Sequence, residues 1–219
     1  MKIDRSTIAF HAAERILEEL ESAGINYTDV ESLYDVYDAL PEGMYMTSGA
    51  SRFVFWDMNF DYVIKIAKCE EYERYNQHEV EVYSAAVNEG LESNFAWCAC
   101  YIPPCEGDDF YNPGVYVMEF LDGSDEEVSD SAWDYGYKQY CEARGLDSSS
   151  YDYSDDYNDW SYDEENETLM EFFLSQMDSK EACEMDRFIS KYHINDLHSS
   201  NYLFRNDSLV ICDYAGWGW

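Results

Sequence analysis

The sequence predicts an α+β fold, in which an antiparallel sheet is preceded and followed by helices. Residues 5–23 carry apolar side chains three and four positions apart, which is the spacing of an amphipathic helix. Over residues 44–67 the pattern changes to short runs rich in Phe, Tyr, Val and Ile, which are typical of β-strands. Helical spacing returns at about residue 168. Strands and helices that are grouped rather than alternating indicate the α+β class.

The composition is that of a folded and very acidic protein. Of 219 residues, 46% are hydrophobic and 17% are aromatic, which is enough for one substantial core or two smaller lobes. The formal net charge is −34. Such a field repels nucleic acid and anionic membranes and attracts basic protein surfaces. We therefore expect a protein partner with a basic surface, and neither direct nucleic-acid binding nor membrane binding.

The cysteines and the N-terminus predict a cytoplasmic protein. Seven scattered cysteines are an odd number, which favours reduced thiols over a disulfide framework. Cys98, Cys100 and Cys105 are close enough in sequence for a metal clip, but no fourth ligand accompanies them. The N-terminus lacks the apolar core of a signal peptide, and no run of 18 apolar residues exists.

Residues 1–43 are predicted to form a helical extension. The amphipathic first helix ends at Gly24, a residue typical of helix C-caps. A capping-box pattern at Thr28 and Glu31 predicts a second helix, which ends at Pro41.

Lys65 is the first candidate for chemistry. Three strands joined as an antiparallel meander are predicted over residues 44–47, 52–57 and 62–67. Lys65 is a lone charge among the β-formers of the third strand, so it needs a partner or must extend its ammonium to water. A long helix over residues 70–89 follows, and it offers Glu73, Glu79 and Glu81 as partners.

An acidic region follows two further strands, which are predicted over residues 97–102 and 114–121. Residues 122–171 hold 17 acidic and two basic residues, with seven tyrosines and two tryptophans. We interpret residues 122–167 as a solvated, partly mobile insertion. The alternative is a docking surface, on which aromatic rings supply contact area and carboxylates bind basic side chains.

The last quarter of the chain holds the residues best suited to catalysis. Helices are predicted from about residue 168 and near Ser179. A loop with Asp196 and Asn201 follows, and a short hairpin then leads to Asp213. Oxygen ligands from Asn and Asp suit Mg²⁺, and a further carboxylate can orient a hydroxyl nucleophile. We expect these three side chains to meet; the alternative is solvated residues beside an ordinary hairpin.

The order of these features resembles the protein-kinase-like superfamily, whose catalytic loop Asp-x-x-x-x-Asn is followed by a metal-binding Asp. The form Asp-Leu-His-Ser-Ser-Asn resembles the small-molecule and atypical kinases of that superfamily, and short kinase-like proteins of bacteria and phages, more than eukaryotic protein kinases. The resemblance implies that Asp196 is catalytic and that Asn201 and Asp213 bind Mg²⁺. Over residues 44–219, it implies an antiparallel-sheet N-lobe with a hinge (residues 44–121) and a reduced, mostly helical C-lobe (residues 122–219). The two predicted N-terminal helices precede these lobes.

The resemblance also implies an ATP site. Lys65, in Val-Ile-Lys-Ile-Ala, corresponds to the strand lysine that contacts the α- and β-phosphates, and Glu79 is the glutamate expected to pair with it. The first loop has one glycine where the family has two or three, and Arg52 after it either assists or points outward. The residues expected to contact the nucleotide in this loop and in the hinge are Ser48, Gly49, Ser51, Met118, Glu119 and Leu121.

The function implied by the resemblance is an ATP- and Mg²⁺-dependent phosphotransferase, a compact Ser/Thr-type protein kinase or autokinase. By analogy with short phage proteins, it would act on host or defence proteins in the host cytoplasm. Only six residues follow Asp213, and the family's activation segment is not among them. The alternative is a kinase-like scaffold whose acidic surface binds and inhibits a basic, nucleic-acid-handling protein.

Overall fold

The computed structural model describes residues 5–29, 31–107, 110–148 and 162–215. The chain divides into two compact units. The first comprises residues 1–92 and 96–120, and the second comprises residues 93–95 and 121–219. An antiparallel sheet and separate helices make up the described residues, so the predicted α+β class is confirmed.

Five α-helices and nine strands form the described part of the chain. The helices are α1 (Arg5–Ser22), α2 (Glu73–Glu89), α3 (Asp125–Arg144), α4 (Tyr162–Ser175) and α5 (Ser179–Lys191). The strands are β1 (Met44–Ser48), β2 (Arg52–Asp57), β3 (Tyr62–Ala67), β4 (Cys98–Ile102), β5 (Cys105–Gly107), β6 (Phe110–Asn112), β7 (Val115–Glu119), β8 (Tyr202–Arg205) and β9 (Ser208–Ile211). None of the helices described is both long and apolar enough to cross a membrane.

The first unit is built on a five-stranded antiparallel sheet with the order β1-β2-β3-β7-β4. The three strands predicted at its start form within one residue of the expected bounds. All six residues of the central strand β3 are buried, so both faces of the sheet are covered there. On one face Ile64 and Ile66 join the apolar core that includes Ile16 of α1. Lys65 points to the other face, because successive side chains alternate along a strand.

The predicted second N-terminal helix is wrong. Two short 3₁₀ turns, Ser32–Asp35 and Tyr37–Ala39, occupy most of that segment. The Asn26 side-chain oxygen accepts hydrogen bonds from the Thr28 amide at 3.1 Å and its hydroxyl at 2.6 Å. The Ser32 hydroxyl donates to the carbonyl of Asp29 at 2.7 Å. These local bonds offer the backbone an alternative to helical pairing, and they hold the segment in turns.

The interpretation of residues 122–167 as a solvated insertion is also wrong for the residues described, because α3 fills much of that region. A capping box starts the helix: the Glu127 amide donates to the Ser124 hydroxyl at 3.3 Å, and the Ser124 amide donates to the Glu127 carboxylate at 2.9 Å. Val128 and Ala132 are buried in its first half, and Tyr137 and Cys141 in its second half. Helix α4 begins at residue 162, earlier than predicted. Residues 149–161 lie outside the described residues.

The aromatic side chains of α3 pack within the second unit. Trp133 stacks on Tyr137 with ring centroids 5.2 Å apart, and Tyr135 contacts Phe172 of α4 at 5.4 Å. Their contact area is therefore used in folding. The docking surface considered for this region would have to rely on other side chains.

Thiol reactivity should follow burial. Burial raises the pKa of the Cys98 thiol in β4 to about 12, whereas Cys69 and Cys183 are exposed. The thiolate is the reactive form, so we expect iodoacetamide at mildly alkaline pH to label Cys69 and Cys183 and to spare Cys98, as read by mass spectrometry. Denatured protein, in which every cysteine should react, is the control. Labelling of native Cys98 as fast as Cys69 would contradict the assigned burial.

The same pKa shift has a consequence for stability. The thiol of an unfolded cysteine has a pKa of about 8.5. Above that pH the unfolded chain loses a proton that Cys98 in the folded chain retains, because its pKa is raised to about 12. The contribution of Cys98 to stability is therefore complete below the unfolded pKa, and it falls as the pH rises between these two values.

Candidate active site

One group of candidate residues forms a buried ion pair in the first unit. The Lys65 ammonium on β3 lies 3.2 Å and 3.5 Å from the two carboxylate oxygens of Glu79 on α2. The Lys65 side chain is 6% exposed and that of Glu79 is completely buried. Of the three glutamates considered as partners, Glu79 makes this contact, while Glu81 is exposed.

Arg52 is a second cation on the same carboxylate. Its guanidinium donates to Glu79 at 2.7 Å and to the side-chain oxygen of Asn76 at 3.4 Å, and the residue is 3% exposed. The sequence contained a signal for this position. Arg52 pairs with Ala67 across β2 and β3, and Lys65 pairs with Val54, so period-two alternation places both cations on one face.

Glu73, another of the candidate partners, anchors α2 elsewhere. Its carboxylate accepts hydrogen bonds from the Gly114 amide at 3.0 Å, the Tyr101 hydroxyl at 2.9 Å and the Asn76 side chain at 3.2 Å. Glycine is required at residue 114, because a Cβ there would lie 2.1 Å from a Glu73 oxygen. These bonds fix the first turn of α2 against the sheet, and Glu79 lies two turns further along the helix.

The loop between β1 and β2 is a closed turn. The Gly49 amide donates to the Arg52 carbonyl at 3.0 Å, and the Lys68 ammonium donates to the Gly49 carbonyl. The Ser51 carbonyl accepts from the Lys68 amide at 2.9 Å, and Ser48 is exposed. The Gly49 amide is therefore engaged within the turn. Nucleotide binding by Ser48, Gly49 and Ser51 stays a prediction.

The predicted hinge residues lie at the end of β7 and just after it. Met118 and Glu119 are buried in this strand, and the Glu119 amide donates to the Trp97 carbonyl at 3.2 Å. Leu121, the first hinge residue in the second unit, is also buried. The adenine contacts expected of these residues stay predictions.

Another group of candidate residues lies in the second unit, where hydrogen bonds to the main chain of Asp196 and Asp213 bring these two residues beside Asn201. The Asn201 side-chain nitrogen donates to the Asp196 carbonyl at 2.5 Å and lies 3.2 Å from His198 Nε2. The main-chain carbonyl of Asn201 accepts hydrogen bonds from the amides of Cys212 at 2.8 Å and Asp213 at 3.5 Å. One buried asparagine thus joins the Asp196 loop to the segment that follows the hairpin.

The hairpin of β8 and β9 is what returns the chain to Asn201. Its turn residues Asn206 and Asp207 have φ of 49° and 64°, and Asn and Asp tolerate this left-handed region well. Tyr202 pairs with Ile211 at the open end, and both are fully buried. Cys212 follows directly, so the register of the hairpin places the next residues beside Asn201.

The oxygen atoms of this group in the second unit suit Mg²⁺. A carbonyl oxygen only accepts hydrogen bonds, so the Asn201 nitrogen must face Asp196, and its side-chain oxygen occupies the other edge of the carboxamide. With the Asp213 carboxylate, the chain offers two oxygen-bearing side chains. Mg²⁺ commonly takes one or two protein ligands and completes its shell with waters and substrate phosphates. Within the described residues, no group of three or more His, Cys, Asp or Glu could hold a metal.

A cavity of about 620 Å³ lies beside Asp196 in the second unit. Its walls come from α4, from Ile189 of α5 and from residues 194–197. Three acidic residues of α4 line it: Asp163, Glu167 and Glu171. The cavity is large enough to admit a side chain or a small molecule next to the Asp196 carboxylate. The Asp196 side chain is 27% exposed, and its carboxylate lies 3.7 Å from His198 Nε2.

No known family model matches the chain, and no curated protein matches it. Similar solved structures include the streptomycin–ATP–APH(2″)-IIa ternary complex, with 15% identity, a TM-score of 0.36, and coverage of 85% of this chain and 69% of that chain. An aminoglycoside phosphotransferase from Alicyclobacillus acidocaldarius has 13% identity and a TM-score of 0.33, with coverage of 80% of this chain and 63% of that chain. Choline kinase LicA from Streptococcus pneumoniae has 12% identity and a TM-score of 0.36, with coverage of 87% of this chain and 69% of that chain. Similarities with TM-scores this low do not decide what the present chain binds.

Proposed function

We propose that the chain is an ATP- and Mg²⁺-dependent phosphotransferase that transfers a phosphoryl group to a Ser or Thr hydroxyl of a protein or of the chain itself. The observation that carries this proposal is the set of contacts around Asn201. The buried Asn201 side chain donates to the Asp196 carbonyl, and the main-chain carbonyl of Asn201 accepts the amide of Asp213. An ordinary hairpin needs neither of these contacts.

Each residue has a role that its surroundings support. Lys65, held by Glu79, donates to phosphate oxygens of the nucleotide. Asn201 and Asp213 supply the oxygen ligands of Mg²⁺. Asp196 accepts a hydrogen bond from the acceptor hydroxyl and orients it, and the adjacent cavity gives the acceptor room. When bound, Mg²⁺ would neutralise charge on the phosphate groups of the nucleotide.

The acceptor is the less constrained part of the proposal. The sequence resemblance to short phage and bacterial kinase-like proteins supports a protein acceptor in the host, and the net charge of −34 favours one with a basic surface. The same charge would serve a scaffold that binds such a partner without catalysis. Binding of Mg·ATP separates these two functions, because a scaffold has no reason to bind it.

We expect Mg·ATP to raise the thermal midpoint of the protein. Ligand at a hundred times its Kd stabilises a folded protein by about 2.7 kcal/mol. The stabilisation should require Mg²⁺, and Asp213→Asn should lose most of it because a metal ligand is removed. Differential scanning fluorimetry with ATP in Mg²⁺ or in EDTA measures the effect.

Asp207→Asn is the matched control for this experiment. It removes the same charge from an exposed turn of the same unit, at a φ that asparagine also tolerates. We expect it to keep the full response. A wild-type protein whose midpoint is unchanged by saturating Mg·ATP would exclude the phosphotransferase proposal and leave the scaffold.

A further inference from the structure

Arg52 is buried on the same carboxylate as Lys65, and the proposed chemistry gives it no role. Its Nη2 donates to Glu79 Oε1 at 2.7 Å, whereas the Lys65 ammonium lies 3.2 Å from that oxygen. Both cations are almost completely buried, and Glu79 is fully buried. The glutamate therefore makes its shorter contact with the arginine, although the lysine is the residue expected to bind phosphate.

We propose that Arg52 is a positioning residue that keeps Glu79 in place, so that Lys65 can bind ATP phosphates without leaving a buried carboxylate unpaired. The inference rests on the proposed function and concerns the same site. A lone Lys–Glu pair weakens when the ammonium turns to another anion, and an unpaired buried charge is strongly unfavourable. With Arg52 present, Glu79 keeps a charged donor throughout.

The surroundings of Arg52 are suited to this role. Its backbone is fixed, because the Arg52 carbonyl accepts the Gly49 amide and so closes the turn between β1 and β2. Its guanidinium also reaches Asn76, which in turn donates to Glu73. Arginine remains charged in proteins at all ordinary pH values, and its planar fork can bind two acceptors at once. The guanidinium therefore stays a charged donor to Glu79.

The formal charges point in the same direction. Arg52 and Lys65 contribute two positive charges and Glu79 one negative charge, within a chain whose net charge is −34. Glu73 adds a second carboxylate nearby, so these four formal charges sum to zero. Without Arg52 the cluster would be negative and would add to the repulsion that the rest of the chain exerts on a nucleotide.

Binding of Mg·ATP and of adenosine, each measured by calorimetry on the full chain, tests the role of Arg52. In Arg52→Met we expect affinity for Mg·ATP to fall about 10- to 100-fold, the effect of losing a hydrogen bond between charged groups. Affinity for adenosine should stay within about twofold, because adenosine has no phosphates. Arg52→Lys should recover part of the loss. The control Arg74→Met removes the same charge from the exposed face of α2 and should change neither affinity.

The outcomes separate this inference from the function on which it rests. If the wild-type chain does not bind Mg·ATP, the proposed function fails and the role of Arg52 fails with it. If the wild type binds and Arg52→Met binds equally well, only the role of Arg52 is refuted. An equal loss of Mg·ATP and adenosine affinity also refutes it, since that result indicates a general structural defect. Should Arg52→Met not fold, the same comparison in Arg52→Lys decides.

Discussion

Replacing Glu79 with glutamine is expected to lower the free energy of unfolding by roughly 3–5 kcal/mol, the cost of breaking a buried ion pair from one side. Glutamine has nearly the same shape, so the loss comes from charge. Arg52 and Lys65 both contact the same carboxylate and are both buried. Without that carboxylate, two like charges would face each other away from water.

Urea unfolding followed by tryptophan fluorescence measures this loss. Glu81→Gln is the matched control, because Glu81 lies on the same helix and is exposed; surface changes of this kind usually stay within about 0.5 kcal/mol. The double variant Arg52→Met/Glu79→Gln should recover part of the stability, since it removes one of the two repelling cations. If Glu79→Gln costs no more than Glu81→Gln, the cluster does not contribute to folding as described.

The strands of the first unit and the Asn201 hairpin could be predicted because their signals are local. Alternating apolar side chains define β3, and turn residues such as Asn206 and Asp207 define the β8–β9 turn. Lys65 was found because it interrupts such a pattern. The sequence leaves the direction of Arg52 open, because its face depends on the register in which β2 pairs with β3, and the structure supplies that register.

Other features could not be predicted because their causes are distant or weak. Glu73 accepts a hydrogen bond from Gly114, which lies 41 residues later in the chain, and no local sequence pattern predicts this contact. Helix α3 buries only a few apolar side chains, including Val128 and Ala132, so its acidic composition suggested a solvated insertion. The capping-box pattern of Ser124 and Glu127 is visible in the sequence, and it is a stronger indication of a helix than the acidic composition is of a solvated insertion.

Replacing Asp196 with asparagine is expected to lower kcat for phosphoryl transfer by about 10²- to 10⁴-fold, the usual contribution of a positioned acid or base. The fold should survive, because the contact that Asp196 gives to Asn201 uses its backbone carbonyl, which the substitution keeps. Binding of Mg·ATP should also survive, since the Asp196 carboxylate is not among the proposed metal ligands. The effect should therefore fall on kcat and leave the KM for ATP nearly unchanged.

Transfer of radiolabelled γ-phosphate to the chain itself, and its release to water, are the two readouts for Asp196→Asn. Asp186→Asn, on the exposed side of α5, removes the same charge from the same unit and serves as the control. If Asp196→Asn retains both activities while Asp213→Asn loses them, a different group must orient the acceptor. The cavity beside Asp196 would then be a consequence of packing between α4 and α5, and the acceptor would have to approach from elsewhere.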